Sequence, residues 1–198
     1  MARPRTEKPE IRRANILEAA REVMIREGSL DFVMSDVAKK AGVASGTLYL
    51  YFKDKIELFA AVFIDLLDRL DDKLLPEKNI EPGIDALRAM SETMLEFIDE
   101  YQDFLFQFTG EHPALCNTKT GDRLKDRFVS HLKNLADVIQ RCMEEGSLRR
   151  TDVSFASLHF SFLIRMFMIN KIIHQSTKPL RHKTPEFMDL FLRGLGND

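Results

Sequence analysis

Residues 33–55, VMSDVAKKAGVASGTLYLYFKDK, constrain this chain more than any other stretch. They predict two short helices joined by a tight turn at Gly42. Val37, Ala38, Ala41, Val43 and Leu48 supply the compact apolar side chains that let two helices cross closely. This spacing is the pattern of a helix-turn-helix. The residues before it read as support for the pair, and those after it as a helical body.

Residues 1–9 hold two prolines and alternating charge and predict a flexible arm. A helix over 11–27 follows from Ile16, Ala20, Val23 and Met24, which recur on one stripe, with Gly28 as its stop. Short helices are expected over 34–41 and 45–51. A long one over 53–75 carries Ile56, Phe59, Phe63, Leu66, Leu67, Leu70 and Leu74 on helical spacing and ends at Pro76. Residues 77–83 read as a loop, 84–109 as helix and 110–121 as a polar loop. Helices over 122–145, 154–175 and 186–195 complete the chain, with Thr151 or Asp152 as cap for the second of these and Pro185 opening the third. No strand pattern appears. The expected fold class is all-α: an N-terminal three-helix helix-turn-helix domain (1–55), joined by the long helix to a C-terminal helical domain (56–198), with about nine helices in all.

Composition narrows the function classes. The net charge of -2 excludes a uniformly basic nucleic-acid binder, but the balance is uneven. Residues 1–55 carry 11 Lys and Arg against 8 Asp and Glu, and a local basic face is all that phosphate attraction needs. Cys116 and Cys142 make neither a disulfide framework nor a metal spacing, which points to a reduced, cytoplasmic setting. The polar, Arg-rich start lacks the apolar segment of a secretion signal. The longest apolar cluster, residues 162–169, is broken by Arg165, so no membrane span is expected. His112 and Cys116 stand four apart, but Pro113 lies between them and no second pair exists, so no metal or other cofactor is expected. No GxSxG, P-loop or HExxH pattern occurs, and no enzyme is expected.

The segment AGVASGTLYLYFKDKIEL, residues 41–58, resembles the DNA-binding signature of TetR-family transcriptional regulators. Gly42, Gly46, Thr47, Tyr49, Phe52, Lys55 and Leu58 stand where that family's pattern puts them, and the helix ANILEAAREVMIREG upstream fits as well. The resemblance covers about the first 65 residues. It implies a short recognition helix in the major groove, with Ser45, Gly46, Thr47, Tyr49 and Tyr51 near bases, phosphates and groove walls. Lys55, at the start of a helix, would hold a phosphate, and Arg3 and Arg5 would reach a minor groove as an arm. Phe52 reads as core. The sequence departs from the family at two caps, Val33 and Ala44, where hydroxyl residues are usual. Ser35 and Ser45, close by, are candidates to take over with shifted helix starts, and Ser35 to take a phosphate contact.

In the body the resemblance implies an effector cavity and a dimer. Met90, Met94, Phe97, Phe104, Phe108, Phe128, Phe155, Phe162 and Met166 are candidate lining residues, which makes the effector a small apolar or aromatic molecule, or one with an acyl chain. His131, His159, Arg165 and Asn170 are the polar candidates to orient it. Residues 154–175 and 186–195, apolar on more than one side, are the expected homodimer interface. Two recognition helices one DNA turn apart would match a palindromic operator in double-stranded DNA. The reading is therefore a repressor that an effector releases. The alternative is an all-helical ligand carrier or protein-interaction module with a structural helix-turn-helix, and burial of residues 45–51 would favour it.

Overall fold

The computed structural model describes residues 8–27, 31–107 and 118–195. The sequence predicts about nine helices; the described residues carry eight α-helices and two short 3-10 turns, with no strand among them. The helices are α1 (Pro9–Glu27), α2 (Met34–Lys40), α3 (Ser45–Tyr51), α4 (Lys55–Leu74), α5 (Gly83–Gln107), α6 (Lys119–Glu144), α7 (Val153–Ile173) and α8 (Thr184–Leu195). The 3-10 turns are Glu77–Asn79, inside the segment expected to be plain loop, and Leu180–Lys183. The chain divides into two compact units, residues 1–66 with 107–124 and residues 67–106 with 125–198, so α4 contributes to both.

The first unit has a small apolar core. α1 supplies Ile16, Ala20, Val23 and Met24, all buried, on the predicted stripe, and Leu17 is buried as well. Phe32, Val37 and Ala38 add the α2 side, and Leu48 is the one fully buried side chain of α3. Phe52, Leu58 and Phe59 are also buried, and Phe52 additionally receives the Arg13 guanidinium 5.5 Å from its ring centroid.

In the second unit, each helix turns a continuous apolar face inward. On α5 this face is Leu87, Met90, Met94, Phe97, Tyr101 and Phe104; on α6 it is Leu135, Val138, Ile139 and Cys142. Burial pushes the Cys142 thiol up to about 11, so it behaves as a core residue and not a nucleophile. α7 and α8 lock through aromatic rings: Phe160 meets Phe187 edge-on at 4.8 Å and Phe191 edge-on at 5.1 Å. α7 begins at the Asp152 cap, whose carboxylate accepts from the Phe155 N–H at 2.6 Å.

α7 is more apolar than the sequence reading expects. An 18-residue stretch within its 21 residues reaches a mean hydropathy of 1.3, enough by length and composition alone to cross a membrane, a test that a core helix passes as well. The helix gains this hydropathy by being apolar on two faces. One face, with Ala156, Phe160, Ile164 and Met168, is core; the other is exposed.

Polar clamps fix the loops of this unit. Arg141 donates to the carbonyls of Lys78 and Ile80, both at 2.9 Å, and the Glu145 carboxylate accepts from the Gly83 N–H at 2.8 Å, which pins the start of α5 to the end of α6. Asp99 of α5 accepts from Lys171 of α7 and from the Leu180 N–H. Between α4 and α6, Asp71 bonds His131 Nδ1 at 2.6 Å and Arg127 at 2.7 Å, while Arg127 also holds Asp68 at 2.7 Å.

Burial pushes the Asp71 carboxyl up, but the His131 and Arg127 partners outweigh it and hold the group below the ordinary carboxylate range. A folded-state pKa below the unfolded one contributes stability that is present above about pH 4 and lost as pH falls through the folded value. Asp71→Asn is expected to cost about 2 kcal/mol at pH 7 and to flatten the loss of stability below about pH 4. Urea melts at neutral and acid pH check this, and an unchanged acid sensitivity in the variant would refute it.

Candidate nucleic-acid interface

The reading head is set by the turn between α2 and α3. Gly42 sits at φ +66°, the left-handed region that a residue with a Cβ rarely adopts. Its N–H donates to the Lys39 carbonyl at 3.2 Å, and the Val43 N–H donates to the Ala38 carbonyl at 3.0 Å. These two bonds close the end of α2 in a Schellman motif and turn the chain into α3. Lys40 pairs with Glu22 at 2.6 Å and ties the end of α2 to α1.

Neither helix has a side-chain cap at its start. Val33 (φ -112°, ψ 144°) and Ala44 (φ -67°, ψ 146°) occupy the cap positions with no side-chain hydrogen bond. α2 starts at Met34 and α3 at Ser45, so the helix starts do not shift and Ser35 and Ser45 do not take over. Backbone bonds close these ends instead, Asp36 N–H to Val33 O at 3.1 Å and Thr47 N–H to Ala44 O at 2.9 Å.

The start of α4 is handled differently. The Asp54 carboxylate accepts from the Glu57 N–H at 2.8 Å, and the Glu57 carboxylate accepts from the Lys53 N–H at 3.0 Å, a near-reciprocal capping box. Two carboxylates therefore already occupy the helix end that the sequence reading has Lys55 share with a phosphate. What the junction presents outward is the pair of exposed side chains of Lys53 and Lys55. Lys53 is absent from the sequence candidates; its place between Phe52 and the Asp54 cap is the signal that points to it.

α3 divides cleanly. Leu48 is buried and Thr47 and Tyr51 are half-buried, while Ser45, Gly46, Tyr49 and Leu50 form the exposed face. Tyr49 is 53% exposed and Leu50 85%. A Cβ added at Gly46 would meet nothing within 4 Å, so the space beside it is open. Lys39 and Lys40 precede this helix and Lys53 and Lys55 follow it, all exposed. Exposure of α3 argues against the structural helix-turn-helix alternative. Arg3 and Arg5 lie outside the described residues.

The family model for bacterial regulatory proteins of the tetR family matches residues 16–62, which run from the core of α1 into α4. The uncharacterized HTH-type transcriptional regulator TtgW of Pseudomonas putida is 32% identical over 139 residues, which span 67% of this chain and 100% of that protein. The chain belongs to the TetR family. It is a DNA-binding transcriptional regulator and not an enzyme. The fatty acid metabolism regulator protein of Bacillus subtilis is 37% identical over 136 residues, 66% of each chain. The crystal structure of the transcriptional regulator FadR from Bacillus subtilis in complex with stearoyl-CoA superposes with a TM-score of 0.77 at 20% identity, covering 91% of this chain and 98% of that one.

The candidates in the body separate into two groups. Met90, Met94, Phe97 and Phe104 share the buried face of α5, and Phe128 on α6 is half-buried with its ring 6.3 Å from His131. His159 is half-buried and its ring lies 5.7 Å from Phe191 of α8. Phe155, Phe162 and Met166 instead lie on the exposed face of α7. His131 is committed to Asp71. Phe108, His112 and Cys116 lie outside the described residues.

The bare caps carry a stability test. Val33→Ser and Ala44→Ser are each expected to stabilise the protein by about 1 kcal/mol, raising its melting temperature by roughly 2–4 °C. Calorimetry that finds no rise for either would show that these ends are already satisfied in another way.

Proposed function

We propose that this regulator is a homodimeric repressor that binds a palindromic operator and leaves it when an acyl-chain effector enters the helical body. Residues 1–55 act as the DNA-binding part and residues 56–198 as the effector-binding and dimerisation part, in the cytoplasm where operator DNA is found. The observation that carries the DNA side is the exposed face of α3, flanked by four exposed lysines. Ser45, Gly46, Thr47, Tyr49, Tyr51 and Lys55 contact DNA in this reading, with Ser35, Arg3 and Arg5 at its edges.

The dimer reading rests on α7. Phe155, Phe162, Met166 and Ile173 follow one another at intervals of seven, four and seven residues, and all are at least half exposed. That interval keeps them on one seam, and such a seam is costly to leave in water. Leu190 of α8 is exposed as well. We therefore assign Phe162 and Met166 to the partner-facing seam and not to the effector cavity. Met90, Met94, Phe97 and Phe104, with Phe128 and His159, remain the proposed lining.

The effector class is supported by likeness to a fatty acid metabolism regulator and to the fold of a FadR structure holding stearoyl-CoA. The apolar lining suits an acyl chain better than a polar metabolite. α4 is the element common to both units, and an effector acts on DNA affinity only through its different affinity for the two states of the protein.

Three measurements test the reading. Tyr49→Ala and Lys55→Ala are expected to weaken operator binding in an anisotropy assay without lowering the melting temperature; unfolding of the Tyr49 variant would return that residue to the core. Met166→Glu is expected to yield a monomer in sedimentation and to lose operator binding, and a variant that stays dimeric would refute the seam. Stearoyl-CoA at about a hundred times its Kd is expected to stabilise the protein by about 2.7 kcal/mol and to release DNA, whereas coenzyme A alone does neither. A lack of effect from stearoyl-CoA would overturn the effector class while leaving the DNA reading in place.

A further inference from the structure

We infer that Leu50 is the base-reading residue of α3 and that it reads the C5-methyl group of thymine in the operator. This inference rests on the DNA-binding reading of the same helix. Leu50 is the most exposed large apolar side chain among the described residues, at 85%, on a helix whose only buried side chain is Leu48. Nothing in the fold of the chain itself needs a leucine there.

The chemistry of the exposed face leaves few other ways to recognise sequence. It consists of Ser45, Gly46, Tyr49 and Leu50. Bidentate readout of guanine needs Arg or Lys, and that of adenine needs Asn or Gln, and α3 carries none of these four residue types. Ser45 and Tyr49 each offer one hydroxyl, which discriminates weakly between bases. Thymine alone presents a methyl group in the major groove, and an apolar side chain is its natural partner.

Position supports the same assignment. Gly46 and Leu50 stand one turn apart on the helix, and the open space at Gly46 lets the backbone approach the bases beside Leu50. Leucine has no donor for a phosphate oxygen, and the exposed lysines on both sides of α3 can supply those contacts without it. Phosphate attraction from Lys39, Lys40, Lys53 and Lys55 then places the helix, and the leucine discriminates.

The test starts from a sequence selected by the wild-type protein out of random duplexes. Each thymine in the selected half-site is replaced by uracil, which removes only the methyl group. At one position the wild type is expected to lose about fourfold in affinity, the contribution of one buried methyl. Leu50→Ala is expected to keep its melting temperature, to bind the thymine duplex more weakly by a similar factor, and to bind thymine and uracil duplexes alike. Reselection with the variant should lose the preference at that position. If the wild type selects a sequence but no uracil substitution matters, or the variant selects the same sequence, Leu50 is not the reader and the regulator reading stands. If Leu50→Ala changes the oligomeric state without DNA, the side chain belongs to a protein contact and the inference fails. If the wild type selects no sequence, the DNA reading fails and this inference with it.

Discussion

The turn at Gly42 is the constraint on which the reading head depends. A left-handed residue at this point lets α2 end with its carbonyls paired and lets α3 leave at an angle that buries Leu48 alone. A residue with a Cβ would strain this conformation by about 1–2 kcal/mol. The geometry also explains how a seven-residue helix persists. Such a helix is too short to be stable by propensity, and it has no side-chain cap. Its order comes from one buried leucine, the Schellman turn before it and the buried Phe52 after it.

The chain distributes its polar interactions unevenly. The starts of α4 and α7 are capped by Asp54 and Asp152, and the start of α5 is held by Glu145. The starts of α2 and α3 have no such group. These body helices are thus closed by charge-assisted hydrogen bonds, while the helix-turn-helix pair is held by packing. In the body, the Asp68–Arg127–Asp71–His131 chain joins α4 to α6, so one end of the element that both units share is fixed by charge.

Much of the reading head is legible from residue type and spacing. The α1 stripe, the Gly42 turn, the limits of α3 and the core role of Phe52 follow from local rules with short range. The body is legible as helices but not as surfaces. α7 looks apolar all round in sequence, and its periodicity does not distinguish a face packed on α8 from one left in water. Sequence alone therefore groups Phe162 and Met166 with the cavity candidates, although they lie on the exposed seam with Phe155 and Ile173. Asp71 and His131 are 60 residues apart, and no local pattern announces that they meet.

The sequence by itself determined an all-helical chain, a helix-turn-helix near its start, the residues of the recognition helix and its family, because these depend on periodicity, turn chemistry and a contiguous signature. Only the tertiary structure decided which side of each helix is left over. That choice depends on what packs against the helix from far along the chain, and it exposes Leu50 and the α7 seam while burying Met90, Met94, Phe97 and Phe104.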